Sequence, residues 1–180
     1  MKKENRKVLS IILRYLILLA VAFPSIKIFY LVFSPLTIYP VYSLLSLIYP
    51  VVLSGNTFLI SNFSIEIADA CVAGSAYFLL VLLNLSLPMN WKKRVFSLIF
   101  SLFSFLLINI LRIFIFSILL ISSFQYFDIT HKLFWLFLSG VLVFLVWILT
   151  IKIFRLEKIP FYSDIKFLYK LAKRKKSNKK

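Results

Sequence analysis

Residues 91–122 read WKKRVFSLIFSLFSFLLINILRIFIFSILLIS. After the basic start Trp91-Lys92-Lys93-Arg94, the stretch Val95–Ser122 exceeds the roughly 20 apolar residues that cross a hydrocarbon core. A single charge, Arg112, interrupts it. A cation at that depth costs about 2.5–3.5 kcal/mol on insertion scales, so Arg112 needs a partner and marks a functional position. The stretch therefore decides the class: this is an integral membrane protein built from helices.

Composition agrees. Apolar residues make up 62% of the 180 and the mean hydropathy is +0.96. A net charge of +16 would suggest nucleic acid in a soluble chain, but here the basic residues sit in blocks beside apolar runs. Membrane orientation and anionic headgroups account for them, and no nucleic-acid partner is expected. The single cysteine excludes an intrachain disulfide and a cysteine-pair metal site. One histidine without clustered carboxylates argues against zinc or di-iron. The expected chemistry uses no metal and no cofactor.

Outward from the central stretch, three more spans are predicted: Val8–Phe33, interrupted by Arg14, Pro24 and Lys27; Cys71–Leu87, closed by Pro88; and Lys132–Ile151. Val8–Phe33 is too long for a signal peptide and lacks its small-residue cleavage pattern, so it reads as a retained span. Each basic block marks a cytoplasmic end: Lys2, Lys3, Arg6 and Lys7, then residues 92–94, then the tail 153–180. With both termini inside, residues 1–152 form a multi-pass domain of about four spans whose segment 35–70 lies at the outer face. Parity then makes Pro35–Leu53, with its prolines and tyrosines, an interfacial or re-entrant helix; a further crossing there is the rival topology. Val51-Val52-Leu53 and Thr57-Phe58-Leu59-Ile60 flank the turn pair Gly55-Asn56 and predict a small outer β-hairpin. Asn62–Ile67 then alternates polar and apolar residues.

Three scarce residues converge on this frame. Cys71 and His131 are the only cysteine and histidine in the chain. A helix rise of about 1.5 Å per residue puts Cys71 roughly 25 Å above Pro88, Arg112 roughly 27 Å above Arg94 and His131 roughly 31 Å above Lys152. Three spans thus deliver a thiol, a fixed cation and an imidazole to one depth near the outer face, a combination that suits acyl transfer. Taken singly, each has a plainer account: a cysteine packs as a small apolar residue, and a histidine caps a helix. The agreement in depth is what argues against three accidents. Asn109, one turn before Arg112, either orients the guanidinium or makes an interhelical hydrogen bond. Glu66 and Asp69 stand just above Cys71, whereas Gly74 and Ser75 read as close-packing residues.

Several stretches resemble the exosortases and archaeosortases, multi-pass membrane transpeptidases with a Cys, Arg, His triad. They are Ser54-Gly55-Asn56 with the strand to Ile60, Ile65-Glu66-Ile67-Ala68-Asp69-Ala70-Cys71, Asn109-Ile110-Leu111-Arg112-Ile113, and His131 at the head of the final span. Many family members place glycine two residues after the cysteine; here Ala73 holds that position and Gly74 follows. In length the chain looks like the compact archaeal forms, the pacearchaeosortases among them. The resemblance implies Cys71 as nucleophile, Arg112 as oxyanion stabiliser and His131 as general acid and base, with Asn109, Asp69 and Glu66 in support. It implies cleavage, through a thioester, of the carboxy-terminal sorting signal of secreted proteins: a short motif, a transmembrane segment and a basic tail. The acceptor it implies is a lipid or glycolipid, and the location the cell membrane. Two other classes stay open: a small binding or transport subunit, against which the scarcity of glycine weighs, and a structural membrane partner.

Overall fold

Backbone in a hydrocarbon core must satisfy its own hydrogen bonds, which favours helices. In the computed structural model, which describes residues 27–87, 89–123, 125–133 and 139–155, helix α1 covers Lys27–Ser46. Three short strands follow: β1 (Val51–Ser54), β2 (Thr57–Ile60) and β3 (Phe63–Glu66). Then come α2 (Asp69–Val72), α3 (Gly74–Ser86), α4 (Trp91–Ile121), α5 (Phe127–Leu133) and α6 (Ser139–Ile153). Among the described residues, three stretches are long and apolar enough to cross a membrane: Lys27–Ser46, Asp69–Ser86 and Trp91–Ile121; α6 is apolar but shorter.

The first expected span does not end at Phe33. Helix α1 runs on through Pro35 and Pro40 to Ser46, so Pro35–Leu53 is not a separate interfacial helix but the second half of α1, a short link and most of β1. A proline removes one backbone bond, but ending the helix there would leave several more backbone groups unpaired in apolar surroundings, so the helix continues. Residues 8–26 and the basic amino-terminal block lie outside the described residues, as does the tail beyond Arg155. The last expected span is described in part: Lys132 belongs to α5, residues 134–138 lie outside the described residues, and α6 covers Ser139–Ile153.

Helix α4 turns its polar residues inward and its apolar residues outward. Ser97, Ser101, Phe105, Asn109, Ile113 and Ser117 are buried, one every four residues. Ile99, Phe103, Leu107, Leu111 and Ile115 form an exposed apolar stripe suited to lipid. A four-residue repeat drifts around a 3.6-residue helix, so α4 meets different neighbours at different heights. Near its start, Ser97 accepts from Asn84 Nδ2 of α3 at 2.9 Å; farther along, it packs on α5 and α6. Between α1, α3 and α4 an aromatic stack fixes the spacing. Tyr77 lies parallel to Phe33 with centroids 3.7 Å apart and meets Phe105 edge-on at 4.9 Å.

The predicted hairpin is there, and it gains a third strand. The antiparallel order is β1-β2-β3, with Ser54 opposite Thr57 and Ile60 opposite Phe63. Gly55, at φ +60°, makes the first two-residue turn. Phe58, Ile60, Ile65 and Ile67 bury one face of the sheet in the same core as the helices, while Val52 and Leu59 stay exposed on the other. The alternation in Asn62–Ile67 is thus the pattern of a half-buried strand.

Candidate active site

The site is built on a break in a helix. The expected span Cys71–Leu87 is two helices: α2 is a single turn carrying Cys71, and Ala73, at φ 60° and ψ 41°, separates it from α3. After the break the Ala76 N–H bonds to Ala73 O rather than to Val72 O. The carbonyls of Cys71 and Val72 are therefore released from the helix ladder, and an uncompensated carbonyl in apolar surroundings is costly.

Helix α4 supplies the donors. Asn109 Nδ2 donates to Cys71 O at 3.1 Å and to Val72 O at 3.2 Å, and Arg112 Nη2 donates to Cys71 O at 3.1 Å. Arg112 Nη1 reaches across to Ser139 Oγ of α6 at 2.9 Å. Asn109 and Arg112, one turn apart, thus act side by side on the same released carbonyls; Asn109 does not bond to the guanidinium. Behind Asn109 the Tyr77 hydroxyl comes within reach of the Thr37 and Asn109 side chains without the geometry of a well-formed hydrogen bond.

A cavity of about 220 Å³ opens beside this junction. Cys71, Arg112 and His131 all line it, together with Ser64–Ile67 of the sheet end and the apolar side chains Ile113, Phe116, Leu120 and Phe127. The His131 ring is half-buried, parallel to Phe127 one turn earlier on α5 at 5.6 Å between centroids, and edge-on to Phe116 at 5.5 Å. Two aromatic rings therefore set the plane of the imidazole. Glu66 is exposed and lines the cavity; Asp69 does not line it and makes no ion pair with Arg112. Among the described residues no group of three His, Cys, Asp or Glu side chains is gathered to hold a metal ion.

Sequence reasoning missed two parts of this arrangement. Ser139 is a hydroxyl in an apolar stretch, and such a residue among membrane helices is a readable sign of a hydrogen bond to a neighbouring helix. The break at Ala73 carried no local signal, since alanine is the best helix former.

Several helices fit to cross a membrane, closed at one end by a small sheet and enclosing a cavity with a cysteine, an arginine and a histidine, define a multi-pass membrane protein with a polar site among its helices. Residues 4–152 match the family described as transmembrane exosortase, and on that coverage the chain belongs to that family. No curated protein and no solved structure matches the chain.

Proposed function

We propose that this exosortase-family protein is a membrane cysteine transpeptidase in which Cys71 is the nucleophile, Arg112 stabilises the oxyanion and His131 moves the protons. One observation carries the reading: three elements bring Cys71, Arg112 and His131 to the wall of one cavity, with Arg112 held against the main chain of Cys71. Among the described residues no carboxylate neutralises that cation, so its charge is free to serve an anion that forms beside it.

The steps follow from these groups. The Cys71 thiolate attacks the scissile carbonyl carbon, and the negative charge moves to the carbonyl oxygen. A guanidinium has five N–H donors, and the two hydrogen bonds to Cys71 O and Ser139 Oγ leave others for that oxygen. Collapse of the intermediate breaks the C–N bond as protonated His131 gives its proton to the leaving amine, and a thioester to Cys71 remains. His131 then takes a proton from the incoming nucleophile, which displaces the thiolate. Family membership supports a carboxy-terminal sorting signal as the donor and a lipid or glycolipid as the acceptor. The positive-inside bias of residues 92–94 supports a site at the outer face of the cell membrane and cytoplasmic termini.

The test is co-expression with a secreted reporter ending in a short motif, an apolar span and a basic cluster. Wild-type protein is expected to shorten the reporter and to carry a hydroxylamine-sensitive adduct; Cys71→Ala is expected to do neither at equal expression. Full processing by Cys71→Ala overturns the reading.

A further inference from the structure

The edge of the sheet leads to the thiol. In the order β1-β2-β3, strand β3 is an edge. Just past its end the Ile67 N–H donates to Asn56 O at 2.9 Å, in line with the β2 side. Backbone direction alternates along a strand, so the N–H and C=O groups of Phe63 and Ile65 also face β2, and those of Ser64 and Glu66 face away from the sheet. Both residues are exposed, both line the cavity, and Cys71 lies on the next turn of chain, on the wall of the same cavity. An exposed edge is usually blunted by charge, lysine above all, by proline or by a bulge; β3 reads Phe63-Ser64-Ile65-Glu66, with Glu66 its one charge and no lysine or proline.

We propose that the peptide to be cleaved docks as a fourth strand on β3, its main chain hydrogen-bonded to Ser64 and Glu66, so that its scissile carbonyl is presented to Cys71. The proposal rests on the reading of Cys71 as a peptidase nucleophile and adds how the substrate is held. Only extended backbone offers donors and acceptors with the two-residue period of a strand edge; a helix has already used its own. The occupant is therefore an unwound segment. The wall of Ile113, Phe116, Leu120 and Phe127 is placed to take an apolar side chain from it. Recognition of this kind reads backbone first, and tolerates side-chain variation wherever the residue does not face that wall.

The test uses full-length protein in detergent and the rate at which Cys71 is alkylated. The probes are acetyl-Ala-Val-Ala-Leu chloromethyl ketone, two analogues N-methylated at adjacent residues, and iodoacetamide as a reagent without a backbone to dock. Strand docking is expected to make one N-methyl analogue react about tenfold more slowly than the parent peptide while the other is little changed, because only alternate N–H groups face β3. Ser64→Pro removes an outward N–H at an edge that tolerates proline. It should slow the peptide about tenfold more than it slows iodoacetamide. Equal effects of the two N-methyl groups, or a peptide rate in Ser64→Pro that falls no further than the iodoacetamide rate, overturn strand docking. Since labelling needs no turnover, these outcomes are separate from the reporter assay: loss of processing in Cys71→Ala with no alternation in the peptide rates sinks the docking and spares the nucleophile. A Cys71 that reacts with neither reagent sinks both.

Discussion

Arg112 grips the main chain of Cys71, its Nη2 donating to the Cys71 carbonyl oxygen at 3.1 Å. Asp69, two residues before Cys71 in the chain, makes no ion pair with Arg112. Carbonyls are dipoles without net charge, so they orient the guanidinium and leave its positive charge uncancelled. An intramembrane cation held in this way is costly to keep and well suited to an oxyanion.

Arg112→Lys should therefore fail almost as completely as Arg112→Ala, with turnover of the reporter down by about 10²–10³. A point ammonium cannot hold Cys71 O and Ser139 Oγ and still present donors to the cavity. Retention of most activity by the lysine variant would show that Arg112 contributes charge alone.

Asn109→Asp should lower stability by about 1–3 kcal/mol, since a carboxylate has no N–H for the carbonyls of Cys71 and Val72. Denaturation in mixed detergent micelles measures it, and an unchanged midpoint would mean that Arg112 alone holds α2.

Ala73→Gly should stabilise the protein by up to about 1 kcal/mol, because the left-handed backbone at this residue strains any L side chain and glycine relieves it. Ala73→Val, with a branched Cβ in the same conformation, should destabilise it. Opposite signs in the same denaturation assay are the expected signature.

Gly74→Ala should be damaging despite the small change in size. A Cβ there would lie 2.8 Å from the Tyr30 ring of α1, too close for any real contact. Pairing it with Tyr30→Ala should recover part of the loss; no recovery in the double variant would place the defect elsewhere.

With Cys71 replaced, a new cysteine at position 56 should react with an impermeant reagent from outside the cell, and one at position 92 should not. The reverse pattern would invert the protein in the membrane and move the cavity to the cytoplasmic side.

Much of the frame was legible because apolar length and turn chemistry are local properties. The run after Arg94 became α4, and Gly55-Asn56 became a hairpin turn. Helix rise alone put Cys71, Arg112 and His131 at one depth, and all three line one cavity; the chemistry of each is a matter for the variants above. What stayed hidden is tertiary. Pro35 and Pro40 suggested a separate interfacial helix, because a proline's local cost is readable in the sequence while the larger cost of ending a helix in apolar surroundings is not. The break at Ala73 contradicts the residue's own preference, and donors from a distant helix satisfy the carbonyls it releases. Ser139 acquires its role only when α6 comes beside α4, and nothing in its neighbours names Arg112 as the partner.

The helix break also sets an order of events in biogenesis. Released carbonyls at Cys71 and Val72 are tolerable in an apolar setting only once Asn109 and Arg112 are beside them, and α4 enters the membrane after the segment that carries the cysteine. Before then the cheapest arrangement for α2 and α3 is one unbroken helix, in which Cys71 is simply another small residue on a lipid-facing rod. The surroundings of the thiol are thus completed by the arrival of a later helix, and the reactivity proposed for Cys71 belongs to the assembled bundle rather than to a half-made chain.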